Sequence, residues 1–181
     1  MDNQLQKPIG GLRLPVPLTE QYRDMRHKKL IDLIDKPQWS GTAPNGEPFV
    51  KLAEDTLIPD LISIVNADGD YQFIIFDAKY YNIQLEQNKK LRGQPGIESI
   101  TKQYLYQLAY QPFVEAHQIR TVHNCFLMPT ASENIISLGT VSLAMLGSLG
   151  LKDIQVRLLP AKLMYQHYIE NTKIDIQALN L

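Results

Sequence analysis

Cysteine is nearly absent from this 181-residue chain, where Cys125 stands alone. An internal disulfide is therefore excluded, and the composition fits a reducing cytoplasm. Cys125 lies in an apolar run, the setting of a small buried hydrophobe rather than a nucleophile. No stretch approaches the roughly 18 consecutive apolar residues of a membrane span. The opening "MDNQLQKPIGG" lacks the charged start and apolar core of a signal peptide. A charge excess is missing too: 18 Lys and Arg stand against 19 Asp and Glu, a formal net charge of −1. That balance speaks against a non-specific nucleic-acid coat, which is usually strongly basic, but not against an enzyme with acidic residues and local basic loops. His27, His117, His123 and His167 share no convergent spacing, so zinc or Ser-His chemistry has no support. There is no G-x-x-x-x-G-K-[ST], so the chain carries no P-loop motor of its own.

What is present suits one globular domain with a real core: 44% hydrophobic residues against 20% charged. Residues 1 to about 18 carry Pro8, Pro15 and Pro17 beside Gly10 and Gly11, an irregular lead-in. "LTEQYRDMRHKKLIDLID" reads as a helix capped by Thr19 and ended by Pro37, and "WSGTAPNGEP" as a loop. Strands are expected around 56–66 and 71–81, followed by the polar loop "LEQNKKLRGQPG". A helix begins after Gly96 and runs toward Pro112. "RTVHNCFLMPT" (120–130) is a strand, "IISLGTVSLAML" a strand followed by a helical turn or loop, and "DIQVRLLP" (153–160) another strand. "AKLMYQHYIEN" closes the chain as a helix. This order is α/β, with a mixed central sheet covered on both faces.

One stretch resists a purely structural account. "LIPDLISIVNADGDYQFIIFDAKYY" is sheet core, yet it holds Asp60, Asp77 and Lys79. Asp68-Gly69 signals a two-residue hairpin turn. Counting outward places Ala67 opposite Asp70 and Asp60 opposite Asp77, with Cβ atoms about 4.5–5.5 Å apart. Lys79 shares their face, because side chains alternate with a period of two. Two like charges set opposite each other and desolvated are costly. A loop cap at Asp60 and a strand end at Asp77 would explain each residue alone but not their register. A Mg²⁺ ion between the carboxylates resolves the conflict, with Lys79 adding positive charge beside the attacking water.

Pro59-Asp60 followed by Asp77-Ala78-Lys79 resembles the PD-(D/E)xK signature of metal-dependent nucleases. "TLIPDLISI", "FDAKYYN", "GQPGIESITKQYLYQLAY", "NCFLMPT" and "LPAK" together resemble the LlaJI family of restriction endonucleases, relatives of the McrC nuclease subunit of McrBC-type systems. The resemblance runs from about Thr56 to Lys173. It implies a restriction-endonuclease-like fold, a mixed β-sheet flanked by helices, and Mg²⁺-dependent cleavage of double-stranded DNA in bacterial defence, with Mn²⁺ as a substitute metal. By position, Asp60, Asp77 and the Ala78 carbonyl would hold the metal and Lys79 would assist the water. On the helix, Gln103, Tyr106, Gln107 and Tyr110 form one hydrogen-bonding stripe. Gln103 matches the first residue of the superfamily's Q-x-x-x-Y motif, but Gln107 stands where that motif has Tyr. A face exposed to water is the alternative for Gln107 and Tyr110.

Lys89, Lys90 and Arg92 lie on a Gly- and Pro-bounded loop suited to phosphate contact, with Tyr106 and Gln107 as further DNA contacts. Glu20, Asp24 and Glu54 are candidates for a further acid, with nothing in the sequence to choose among them. Residues 1–55 are expected to be a lead-in and helix, variable or truncated, and residues 56–181 the nuclease core. The implied partners are DNA and either a second copy of the chain or a separate GTPase or specificity subunit. The alternative is a catalytically inactive nuclease fold serving DNA binding or assembly with a GTPase motor.

Overall fold

The structure is a computed structural model that describes residues 1–83, 85 and 87–181; Glu86 of the polar loop is outside the described residues. Strands β3 (Leu61–Ala67), β4 (Asp70–Ala78), β5 (Thr121–Thr130), β6 (Ile136–Val141) and β7 (Ile154–Pro160) form one sheet in the order β3-β4-β5-β7-β6. The outer pairs β3–β4 and β6–β7 are antiparallel, whereas β4, β5 and β7 run parallel. The mixed sheet and its flanking helices are those expected of a restriction-endonuclease-like fold.

Helix α2 (Ile97–Ala116) crosses from β4 to β5 and packs on one face. Ile62 and Ile64 of β3 and Phe73 and Ile75 of β4 meet Tyr106, Tyr110 and Phe113 there. Fully burying each such side chain stabilises the fold by about 1.5–3 kcal/mol. The opposite face buries Ile74, Phe76, Cys125 and Leu159 under Met164 of α3 (Ala161–Ile169) and the tail residues Ile174, Ile176 and Leu179. Alternation along β4 thus sends Phe73, Ile75 and Asp77 toward α2 and Ile74 and Phe76 toward the tail. Buried Arg157 holds that tail, its Nε and Nη2 each donating at 2.6 Å, to the carbonyls of Leu179 and Asn180.

The lead-in is ordered by the sheet. Gln4 N donates to the Ile62 carbonyl at 2.7 Å, and the Gln4 side-chain amide brackets Ile64 by accepting from its N and donating to its O. Residues 7–10 bond back to residues 26–30, with Ile9 N donating to Lys28 O and Gly10 N to Arg26 O. Those bonds correct the long N-terminal helix: carbonyls tied to another segment cannot accept within a helix. What remains is α1, one turn at Glu20–Arg23, and a separate 3₁₀ turn at Leu30–Leu33. Thr19 makes no side-chain cap bond.

The stretch read as a loop at 39–48 also departs from expectation. Its flanks pair as an exposed two-stranded hairpin, β1 (Gln38–Thr42) with β2 (Pro48–Leu52), and only the Pro44–Gly46 turn behaves as read. Helix α2 continues past Pro112 for a further turn, because Phe113 and Val114 are buried in the core. The strands around the signature are shorter than expected, with residues 56–60 and 79–81 lying outside them.

Candidate active site

The hairpin register is the one counted from the sequence. Asp68 (φ 53°) and Gly69 (φ 91°) form the turn, and the ladder pairs Ala67 with Asp70 through to Leu61 with Phe76. Asp60 lies one step beyond the last pair, opposite Asp77. Its Oδ2 accepts from Ala78 N at 2.7 Å, and its carboxyl group lies near enough to that of Asp77 to disfavour charge there. Asp60 is exposed, while Asp77 is only 5% exposed.

Lys79 closes an ion pair with Asp77, and its backbone N donates to Leu127 O at 2.8 Å, fastening the residue to β5. Burial pushes the Asp77 carboxyl above the usual carboxylate range; Lys79 opposes that shift and the Asp60 contact adds to it. Two carboxylates against one ammonium leave one negative charge uncompensated. Hard oxygen donors with a charge deficit fit a small divalent cation of the Mg²⁺ type.

Helix α2 supports this platform from one side. Gln103 is fully buried and its Nε2 donates to Ile75 O at 3.0 Å, two residues before Asp77; its Oε1 has no partner among the described residues. One turn later, the Tyr106 hydroxyl donates to Ile58 O at 2.9 Å, just ahead of Pro59-Asp60. Burial, with Asp77 and Asp60 nearby, pushes this phenol up to about 12. Gln107 is buried as well, and its Oε1 accepts from Asn124 Nδ2 at 2.7 Å and Lys152 N at 3.1 Å. Tyr106 and Gln107, expected as DNA contacts, are both buried, with their polar groups bonded inside the fold. Tyr110 is fully buried too, so the stripe is no solvent face.

Lys89, Lys90 and Arg92 are exposed on the loop between β4 and α2. Gly93 pins the base of that loop at φ +66°, where an added Cβ would collide with the Asn82 carbonyl. Among the described residues, no group of three or more His, Cys, Asp or Glu side chains converges as a metal site. Glu54 lines a separate cleft of about 790 Å³ with Asp32, Asp35 and Asp55, and Glu20 and Asp24 belong to the α1 turn.

Three neighbours escaped the sequence reading. Asn3 Nδ2 donates to the Asp60 carbonyl at 3.3 Å, a contact across 57 residues that no local pattern signals. The Tyr106 bond to Ile58 is equally invisible in one dimension. Lys102 pairs with Glu98 at 2.7 Å and lies close enough for its charge to feel Asp77; that i,i+4 pair was readable, but its nearness to the site was not.

A model of the LlaJI restriction endonuclease family matches residues 23–167. The chain belongs to the LlaJI restriction endonuclease family. It is 33% identical over 146 residues to the type II restriction enzyme BsuMI component YdjA of Bacillus subtilis (strain 168), a match covering 78% of this chain and 29% of the relative. The chain thus spans less than a third of that curated relative's length. No solved structure matches it. Both halves of the acidic signature and all of α2 lie within the span matched by the LlaJI family, whereas Asn3 lies ahead of it.

Proposed function

We propose that this chain is a Mg²⁺-dependent endonuclease that hydrolyses phosphodiester bonds of double-stranded DNA within a bacterial restriction system. One observation carries the reading: an exposed and a buried carboxylate, Asp60 and Asp77, stand opposite each other at the end of the hairpin, with a single lysine paired to the buried one. Asp60, Asp77 and the Ala78 carbonyl would hold the cation. When bound, Mg²⁺ supplies Lewis acidity to the scissile phosphate and acidifies a water. Lys79 orients that water and balances charge as the phosphate is attacked. Gln103 keeps the Asp77 strand fixed against α2. Lys89, Lys90 and Arg92 take phosphates of the duplex. The BsuMI relative is named a component, which favours an enzyme that works with a partner chain, a second copy or a GTPase-bearing subunit.

Incubation with plasmid and Mg²⁺ tests this. Wild type should nick or linearise the DNA, Mn²⁺ should substitute, and Asp60→Ala, Asp77→Ala and Lys79→Ala should each lose at least about a hundredfold in rate. Cleavage by Asp77→Ala and Lys79→Ala at the wild-type rate would sink the assigned site. No cleavage by any form, with a matching partner subunit present, would leave a nuclease fold serving DNA binding or assembly.

A further inference from the structure

Asp77 sits inside a hydrogen-bonded strand, but Asp60 lies just beyond the end of β3, so the ladder does not fix its place. Bonds from outside the hairpin reach the backbone around it. The Tyr106 hydroxyl donates to Ile58 O on one side of Pro59, and Asn3 Nδ2 donates to the Asp60 carbonyl on the other. Pro59 is buried between them, and the Asp60 carboxylate is aimed by the Ala78 N–H. We infer that Tyr106 and Asn3 are positioning residues that set the Asp60 carboxylate at its distance from Asp77, and through it the affinity of the site for a divalent cation.

This rests on the metal reading above. Two features separate the role from ordinary packing. The bond between the Tyr106 hydroxyl and Ile58 O is only part-buried, so a water can replace the phenol oxygen at the carbonyl, and little stability is lost. What is lost is direction: a water-bridged loop has a wider range of positions, and outer-shell partners of ligands typically control affinity by about 10–100-fold. Tyr104, two residues earlier on α2, supplies the comparison. Its hydroxyl also donates to a backbone carbonyl, that of Val141, but at the far end of the sheet.

The experiment measures Mn²⁺ binding without DNA, by calorimetry and electron paramagnetic resonance, for wild type, Tyr106→Phe, Asn3→Ala and Tyr104→Phe. Tyr106→Phe should raise the Mn²⁺ dissociation constant about tenfold, and Asn3→Ala should raise it by less. Tyr104→Phe should leave it unchanged despite a comparable or larger fall in melting temperature. The Mg²⁺ concentration for half-maximal cleavage should move with the binding constant, while kcat at saturating Mg²⁺ changes less. Wild-type affinity in Tyr106→Phe, or an equal loss in Tyr104→Phe, would overturn the inference. Should Tyr106→Phe fail to fold, unchanged affinity in Asn3→Ala overturns it. Failure of the metal reading looks different: wild type itself then binds no Mn²⁺, and the inference falls with it.

Discussion

The ammonium of Lys79 pairs with the buried carboxylate of Asp77, whereas Asp60, on the same face one strand away, stays open to solvent. The site therefore has a charged floor and an accessible rim. Burying the Asp77 charge is a cost to folding.

Asp77→Asn should separate stability from activity. The amide removes a desolvated charge and its repulsion from Asp60, so the melting temperature should hold or rise while cleavage falls by at least about a hundredfold. Thermal denaturation and plasmid cleavage on the same preparation check both halves. A fall of several degrees would mean that the Lys79 ion pair is a net stabiliser.

The basic loop should report through salt. With Lys90 and Arg92 on phosphates, replacing both with Ala should lower the slope of log K against log salt by about 2, at roughly 0.9 per contact. Affinity should drop uniformly across DNA sequences. Titration of labelled duplex at several salt concentrations reads the slope, and an unchanged slope would remove this loop from the DNA path.

His117 should make stability sensitive to mild acid. Its Nδ1 lies 2.7 Å from Phe113 O, an oxygen that can only accept, so Nδ1 carries the proton and Nε2 is buried without a partner among the described residues. Burial lowers its pKa from 6.5 despite the Phe113 bond. The folded state therefore resists protonation, and the unfolded chain takes the proton first. The contribution is full above about pH 6.5 and is lost as the pH falls toward the folded value. Melting temperature should decline from pH 7 to 5, and His117→Phe should flatten that decline. The substituted ring keeps the contacts with Tyr22 and Phe113, whose centroids lie 5.0 and 4.4 Å away. The slope that remains belongs partly to His123, whose pKa burial also lowers.

Arg157 should prove irreplaceable by Lys. A planar fork can serve two carbonyls at once, and an ammonium on a flexible stem does so poorly. Arg157→Lys and Arg157→Met should both loosen Leu179 from the core, costing about 2 kcal/mol. Limited carboxypeptidase digestion should then trim the tail faster than in wild type.

The acidic pair was legible because its geometry is local arithmetic: a two-residue turn fixes every pairing outward to Asp60 and Asp77. The strands of the sheet were legible for the same reason, as runs of Ile, Val and Phe bounded by turn residues. The N-terminal helix was misread because its residues have helical spacing, and only the distant Ile9 and Gly10 amides draw the Arg26 and Lys28 carbonyls out of a helix. Tyr106 and Gln107 looked like a contact surface because a polar stripe has the same period whether it faces solvent or partners inside. Local pattern cannot tell which.

The lead-in that brackets Ile64 through Gln4 has a consequence for assembly. By spending the outward-facing N–H and O groups of β3 at Ile62 and Ile64, residues 2–5 act as a selvage along that side of the sheet. A foreign strand cannot zip on there without first peeling the N-terminus away. The other border, β6, pairs among the described residues with β7 alone. Any association that extends this sheet by backbone pairing is thereby steered to β6, which two strands, β5 and β7, separate from the hairpin that carries the carboxylates.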